Sequence, residues 1–320
     1  MVAPVPYKKG FIFQDLIYSH AKEIDFGIDE YPIYLNNNQI FKSYTTSIYE
    51  GERNNKKKID EVHQIEFIEI YDLKNRLISW GWFSISNFIK QIPRVNLARG
   101  IRLRKGNIQI GMADCLIKLF KEPRGSYYFF GEIFAVSPKL IPNARRDYFL
   151  ENKTLIDFEK LHKIKFTEFH KLYHFSSSIR NTKKKIDKLV DFQKEYEAKT
   201  KQGFTNNEES EKYEEKLETI QDEAKKAEEQ LEKTAEKLNE SESSAEKKVF
   251  EKIVGDQKPS ISEIVNQFNN KAETKYITDE LTKLNRKERK LVSKIFSVID
   301  NVLPKEIASI LKEKIKEELQ

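Results

Sequence analysis

Gly131-Glu132-Ile133-Phe134-Ala135-Val136-Ser137-Pro138-Lys139-Leu140-Ile141-Pro142-Asn143-Ala144-Arg145-Arg146-Asp147-Tyr148-Phe149 is the stretch on which the reading of this chain turns. Ile133 to Val136 are apolar or β-favouring, and Ser137-Pro138 ends the run, so a strand gives way to a loop. Pro138 and Pro142 restrict that loop, and two guanidiniums, Arg145 and Arg146, follow directly. A loop framed by prolines is stiff and presents what it carries. Arginine is a permanently charged planar fork that matches phosphate oxygens. On residue types alone a second reading stands beside this one, in which both arginines pair on the surface with Asp147, Glu151 or nearby carboxylates.

Working outward, the flanks read as strands. Arg99 to Arg104 and Asn107 to Gly111 form a pair of strand segments around Lys105-Gly106-Asn107. Alternation puts Ile101 and Leu103 on one face and Arg102 and Arg104 on the other. The row Arg99, Arg102, Arg104 and Lys105 is thus either a solvated sheet surface or a phosphate- or partner-facing basic row. Glu66 to Tyr71 and Leu77 to Ser84 are further strands, and Trp80 and Trp82, two apart, share a face as a packed platform, with ligand stacking as the alternative. Tyr31 to Leu35 and Gln39 to Tyr44 form a hairpin across Asn36-Asn37-Asn38. A short helix is expected over Phe11 to Ala21 and another over Asp114 to Phe120. Strands separated by helical stretches define an α/β layer domain over residues 1–155.

From Leu155 the period becomes helical. Phe158, Leu161, Ile164, Phe169, Leu172, Ser176, Ile179, Lys183, Ile186 and Val190 fall mostly three or four apart, which predicts a helix to about Lys199. Gly203 stops it, and a second helix follows with a heptad seam at Tyr213, Leu217, Ile220, Ala224, Ala227, Leu231, Thr234 and Leu238. The simplest arrangement is an antiparallel hairpin over 156–254, with a coil formed by two chains as the alternative. Beyond Gly255, residues 255–320 read as a small all-α domain of three helices: Ser262 to Lys271, Asp279 to Leu303 after a Thr278 cap, and Lys305 to Leu319 behind Pro304. The middle one presents Leu281, Leu284, Leu291, Ile295, Val298 and Val302; the last presents Ile307, Ile310, Leu311 and Ile315. So small a core favours pairing with a second chain, a homodimer.

The totals set limits. The chain has 320 residues and a formal charge of +6, unevenly spread: residues 206–248 hold 15 acidic and 8 basic side chains, which leaves the remainder at +13. Cys115 is the single cysteine, so no intrachain disulfide forms; it is expected to be buried and inert in a reducing compartment. No apolar run approaches the roughly 18 residues of a membrane span. A soluble, cytoplasmic chain without a membrane partner is expected.

The run from Gly131 to Asp147 resembles the end of the middle domain in the ninety-kilodalton heat-shock chaperones, members of the GHKL ATPase superfamily. The run Arg99-Gly100-Ile101-Arg102-Leu103-Arg104-Lys105-Gly106-Asn107-Ile108-Gln109-Ile110-Gly111 is similar to a segment of bacterial chaperone-like ATP-binding proteins in that superfamily. The likeness covers about residues 1–175 and is specific in those two blocks. It implies a transducer-like middle domain of the ribosomal βαβ type. It also implies that an arginine of the loop reaches the γ-phosphate of ATP held by a separate N-terminal domain. Arg146 matches that arginine best, and Arg145 is second.

The nucleotide half of such a machine is not found. A GHKL pocket uses an Asp-x-Gly-x-Gly turn and a glycine-rich lid, where absent side chains let backbone amides approach phosphate. This sequence has 11 glycines and no Gly-x-Gly, and no Gly-x-x-x-x-Gly-Lys loop. ATP and Mg are therefore cofactors of an ATPase domain supplied in cis or in trans, and none is expected on this chain alone. His162, His170 and His174 share the first long helix. His170 and His174 are four apart, but no cysteine or acidic pair completes a metal site in the sequence, and no metal is expected. The expectation is the middle and C-terminal part of a chaperone-like GHKL ATPase, coupling ATP state to a helical arm and a dimer, with a protein client. The alternatives are a DNA-associated transducer of the same superfamily, in which Arg94 joins the basic row on DNA phosphates, and a protein-binding scaffold without enzymatic part.

Overall fold

The computed structural model describes residues 3–51, 55–240, 244–255, 275–279, 281 and 284–319. Its contacts divide the chain into two compact units, Met1–Ile179 with Leu238–Gly255, and Arg180–Lys237 with Asp256–Gln320.

The first unit is built on a five-stranded mixed sheet. Helix α1 (Gln14–Glu23) precedes two small antiparallel ribbons, β1 (Tyr34–Leu35) with β2 (Asn38–Gln39), and β3 (Ser47–Glu50) with β4 (Lys57–Glu61). The Asn36-Asn37 turn has both φ values positive, 48° and 62°, as a two-residue hairpin requires. The main sheet contains β5 (Gln64–Tyr71), β6 (Leu77–Ile85), β7 (Gly100–Lys105), β8 (Ile108–Ile110) and β9 (Phe130–Ala135), in the order β5-β6-β9-β7-β8. Strand β9 lies antiparallel to β6 and parallel to β7, so the chain crosses over between β8 and β9.

That crossover contains no α-helix. The helix expected over Asp114 to Phe120 is a turn with a 3-10 segment at Ile117–Leu119, followed by a second at Pro123–Tyr128. Pro123 forces Glu122 into an extended conformation, φ −120°, which stops any helical continuation. Cys115 sits in this turn, half-buried, its Sγ donating to the Ile110 carbonyl at 3.4 Å and its thiol pushed up to about 11 by burial.

Both sheet faces are covered. Trp80 and Trp82 of β6 and Phe130 and Phe134 of β9 share one face, as the spacing of the tryptophans predicts, and all four are buried. They pack with Tyr7, Phe11, Phe13, Ile17 and Tyr44 from the N-terminal segment. On the opposite face lies the first part of α2 (Lys153–Gln202): Phe83 meets Phe169 at 4.1 Å between ring centroids. His162 is fully buried there. Its Nδ1–H donates to the Phe158 carbonyl at 2.8 Å, which leaves Nε2 to accept from Ser79 Oγ at 3.3 Å. The helix turns Phe158, His162, Phe166 and Phe169 inward, while Ile164, expected on the seam, is 59% exposed. Phe158, His162, Phe166 and Phe169 follow one another at steps of four, four and three and so share one helix face, from which Ile164 is turned away. Helix α4 (Ser244–Val254) belongs to the same unit, and Lys248 Nζ lies 3.2 Å from Glu66 Oε1 of β5.

The second unit contains the hairpin. Gly203, at φ +89°, ends α2, and α3 (Asn207–Glu240) returns antiparallel to it. Leu189 and Phe192 pack on Ile220 and Ala224, Lys188 Nζ meets Glu223 Oε2 at 3.3 Å, and Lys199 Nζ meets Glu209 Oε1 at 2.8 Å. Of the two arrangements open in the sequence, the intrachain hairpin is the one formed. Ile220, Ala224, Ala227, Leu231 and Leu238 of the expected seam are all buried.

Helices α5 (Arg286–Val302) and α6 (Lys305–Leu319) close the unit. The cap of α5 is Asn285, not Thr278: its Oδ1 accepts from the Lys287 and Glu288 amides, while Glu288 Oε2 accepts from the Asn285 amide at 2.8 Å. This reciprocal pair satisfies two otherwise orphaned donors and fixes the start of the helix. Val292 and Phe296 face inward with Ile277 and Leu281, so the stripe Leu291, Ile295, Val298 and Val302 is turned outward. The helix expected over Ser262 to Lys271 lies outside the described residues.

Candidate functional site

The arginine loop leaves β9 through Ser137-Pro138 and folds into a narrow finger. Ile141 to Asn143 run beside Tyr148 to Leu150: the Asn143 amide donates to the Tyr148 carbonyl at 2.9 Å, and the Leu150 amide donates to the Ile141 carbonyl at 2.8 Å. Leu140 and Phe149 are buried and anchor the base, where Phe149 meets Phe158 of α2 edge-to-face. Asn152 closes it from the other side. Its Nδ2 donates to the Lys139 carbonyl at 2.9 Å and its Oδ1 accepts the Leu155 amide at 3.0 Å, so one side chain ties the loop to the first turn of α2.

The tip, Ala144 to Asp147, is held as well. The Arg146 amide donates to the Asn143 carbonyl at 2.9 Å, and Asn143 Nδ2 donates to Asp147 Oδ1 at 2.6 Å. Arg146 has φ +54°, a left-handed conformation that a bulky residue adopts only when its surroundings enforce it. The enforcing contact comes from the end of β8: the Gly111 amide donates to the Arg146 carbonyl at 2.8 Å. Gly111 is itself at φ +64°, and a Cβ there would stand 2.5 Å from the Asp147 carbonyl oxygen. Only glycine permits this docking.

The guanidiniums of Arg145 and Arg146 are exposed and make no ion pair or side-chain hydrogen bond among the described residues. Asp147, the nearest carboxylate in sequence, is engaged by Asn143 instead. The arrangement offers two fixed positive charges at the end of a tethered loop, a geometry able to accept phosphate or carboxylate oxygens.

The basic row is placed differently. Arg104 is fully buried: its Nε donates to Glu132 Oε1, and its Nη1 donates to the Asn107 carbonyl at 2.8 Å. Arg102 is 9% exposed, with Nη1 donating to Gln109 Oε1 at 3.2 Å and Nη2 to the Leu97 carbonyl. Lys105 Nζ donates to the Ser137 carbonyl at 2.7 Å and the Val136 carbonyl at 3.2 Å, beneath the start of the arginine loop. Arg99 stacks over the Tyr127 ring with its Cζ 3.5 Å from the centroid, and burial lowers its basicity. Arg102 and Arg104 share a face as alternation requires. That face is roofed by the N-terminal segment, which is why they do not line an open surface.

Glu132 is the centre of what lies under that roof. Besides Arg104, its carboxylate accepts from Tyr7 Oη at 2.5 Å, Tyr44 Oη at 3.1 Å and Lys42 Nζ at 3.2 Å. Lys42 also donates to Asn107 Oδ1 at 2.7 Å, and Trp82 Nε1 donates to Tyr7 Oη at 3.2 Å. Burial alone would raise the Glu132 carboxyl, but Arg104 and Lys42 outweigh it and hold it near about 2. Burial brings the Lys42 ammonium down to about 8 against the pull of Glu132. This cluster escaped the sequence reading because its members are spread from Tyr7 to Glu132. The one local sign was a glutamate among apolar neighbours on a central strand.

The histidines of α2 also separate. His162 is a packing residue, whereas His170 and His174 meet Glu122 of the crossover. Their acidic partner, 48 residues upstream of His170, leaves no local mark in the sequence.

Compared with known proteins, the chain matches no family model, no curated protein and no solved structure. Among the described residues no helix is long and apolar enough to cross a membrane.

Proposed function

We propose that this chain is the middle and C-terminal part of a cytoplasmic, chaperone-like GHKL ATPase, in which Arg146, assisted by Arg145, contacts the γ-phosphate of ATP held by an ATPase domain that this sequence does not contain. The observation that carries the reading is the pair of exposed guanidiniums, unpartnered among the described residues, on a finger tethered at Gly111, Asn143 and Asn152. Charge developing on a transferring phosphoryl group is stabilised most by a donor that need not reorganise. A guanidinium on a fixed backbone meets that condition.

The mixed sheet beneath the finger then acts as a transducer-like platform, and the antiparallel α2–α3 arm as the element whose position follows ATP state. The outward stripe on α5 and Ile307 and Ile310 of α6, 54% and 59% exposed, support pairing of two copies through the C-terminal helices. The DNA-associated alternative loses support, because Arg102 and Arg104 are spent on Glu132, Gln109 and backbone carbonyls.

ATP turnover tests the reading when measured on the chain alone and after addition of a GHKL N-terminal domain encoded with it. The chain alone is expected to be inactive, and the reassembled system active. Arg146→Ala should lower kcat by about 10³-fold, as loss of an arginine finger does, with Arg145→Ala weaker. Turnover by the chain alone, or an unchanged rate in the double alanine variant, would overturn the proposal.

A further inference from the structure

We infer that Glu122, His170 and His174 form a binding site for a divalent transition-metal cation of the zinc class, which clips the crossover between β8 and β9 to helix α2. The site lies in the first unit and stands independently of the ATPase reading.

His170 and His174 are one helical turn apart, so their rings project from the same face of α2, with centroids 4.4 Å apart. Glu122, extended ahead of Pro123, brings its Oε1 to 3.1 Å from His170 Nε2 and 3.9 Å from His174 Nε2. The three donor atoms all lie within 4.8 Å of one another. Ligands of a tetrahedral zinc at bond lengths of about 2.0–2.1 Å stand ~3.3 Å apart. The two Glu122 separations bracket that value and the third is at most 4.8 Å, so rotation of the side chains can close the three donors around a cation.

The carboxylate is already oriented for the task. Its other oxygen, Oε2, accepts from Arg124 Nε at 2.9 Å and Tyr173 Oη at 3.1 Å. Tyr173 is in turn fixed by stacking on Tyr128, with centroids 4.6 Å apart and planes 3° from parallel. Oε1 therefore faces the imidazoles alone, the arrangement by which outer partners aim a metal ligand.

Two imidazoles and one carboxylate suit Zn²⁺, Co²⁺ or Ni²⁺ rather than Mg²⁺ or Ca²⁺, which take oxygen donors. On binding, the cation takes the place of the proton between His170 Nε2 and Glu122 Oε1, and the neutral imidazole carries its single ring proton on Nδ1. His174, with 48% of its side chain exposed, keeps the outer side of the site open to a fourth ligand from water or a partner.

The experiment is calorimetric titration of the metal-stripped full chain with ZnCl₂, with thermal unfolding followed in parallel. One Zn²⁺ per chain and a higher unfolding temperature are expected. Substitution of a ligand should weaken binding by at least about tenfold, in His174→Ala and in Glu122→Gln, and should abolish the thermal shift. His174 is exposed, so His174→Ala should unfold like the parent in the absence of metal, which keeps loss of binding separate from loss of fold. The inference is overturned by absence of saturable Zn²⁺ binding, or by binding that both variants retain at parental affinity.

Discussion

Arg102 and Arg104 on β7 and Arg145 and Arg146 beyond β9 carry the same charge, and the fold uses them in opposite ways. The strand pair is buried, and its guanidiniums are consumed by Glu132, Gln109 and backbone carbonyls. The loop pair is exposed without a side-chain partner among the described residues, although the Arg146 amide and carbonyl are both hydrogen-bonded. Removing a guanidinium from water costs several kcal/mol, which the sheet recovers only because Glu132 is there to meet Arg104. No such cost falls on the loop, so its charge stays available to a ligand. Burial with a counter-ion marks a structural arginine. A fixed backbone with an exposed head group leaves an arginine able to take a partner from outside.

The sharpest way to break this contrast is to remove the anion at the centre of the buried set. Glu132→Gln leaves Arg104 and Lys42 inside the sheet's roof without a counter-charge, and removing one member of a buried pair costs about 3–5 kcal/mol. Chemical denaturation should show a loss of that size. The Glu132 carboxyl, held near about 2, contributes stability that is present above its unfolded value of roughly 4.3 and lost as the pH falls toward 2. The variant should lack that part of the acid transition. A loss below about 1 kcal/mol would mean that the cluster is not the keystone its geometry suggests.

His162 supplies a second electrostatic test in the same unit. Burial lowers its imidazole to about 4, so the unfolded chain binds this proton more readily than the folded one between pH 6.5 and 4. Stability contributed by neutral His162 is complete above about pH 6.5 and declines as pH falls, by about 3 kcal/mol across that window. His162→Gln can still donate to Phe158 and accept from Ser79, and should flatten the decline between pH 6.5 and 4. If the pH profiles of variant and parent coincide, burial does not lower the His162 imidazole as its surroundings suggest.

What was legible in the sequence divides along the same line. Alternation on β7 placed Arg102 and Arg104 together correctly, because strand geometry fixes which side chains share a face. Whether that face meets water is decided by Tyr7, Lys42 and Tyr44, distant in the chain and without a pattern pointing at Glu132. The finger was legible for the converse reason: its prolines and adjacent arginines act locally. The seam of α3 was read correctly because its alanines and leucines recur without interruption. On α5 the sequence presents the stripe Leu291, Ile295, Val298 and Val302 for pairing with a second chain, and the stripe is exposed, but the face that packs within the chain, Val292 and Phe296, is not picked out by that pattern. An amphipathic pattern with two apolar stripes does not say which of them the chain itself covers.

Gly111→Ala probes the finger's tether rather than its charge. The added methyl would stand 2.5 Å from the Asp147 carbonyl oxygen at a left-handed backbone position, so the finger must shift or the strand end must distort. The expected cost is about 1–3 kcal/mol. Hydrogen exchange should show faster exchange at the Gly111 and Arg146 amides while the central strands stay protected. In the reassembled ATPase the variant should lose much of the activity that Arg146→Ala loses, although both guanidiniums remain. Unchanged exchange at those two amides would show that the β8 contact does not hold the tip.

The smallest effect is the most diagnostic. Arg145→Ala with Arg146→Ala removes two exposed charges with no ion pair or side-chain hydrogen bond among the described residues, and surface changes of that kind stay within about 0.5 kcal/mol of the parent. Replacing Arg146 releases an arginine from φ +54°, a conformation alanine finds no easier, so no gain is expected from relief of strain. Denaturation midpoint and slope should therefore both match the parent, in contrast to Glu132→Gln. A loss of 2 kcal/mol or more would mean that the loop arginines, like those of β7, serve the fold, since that exceeds what an unpartnered surface charge contributes. Parental stability combined with loss of phosphate-dependent activity is the pairing of results that separates an arginine kept for a ligand from one kept for the sheet.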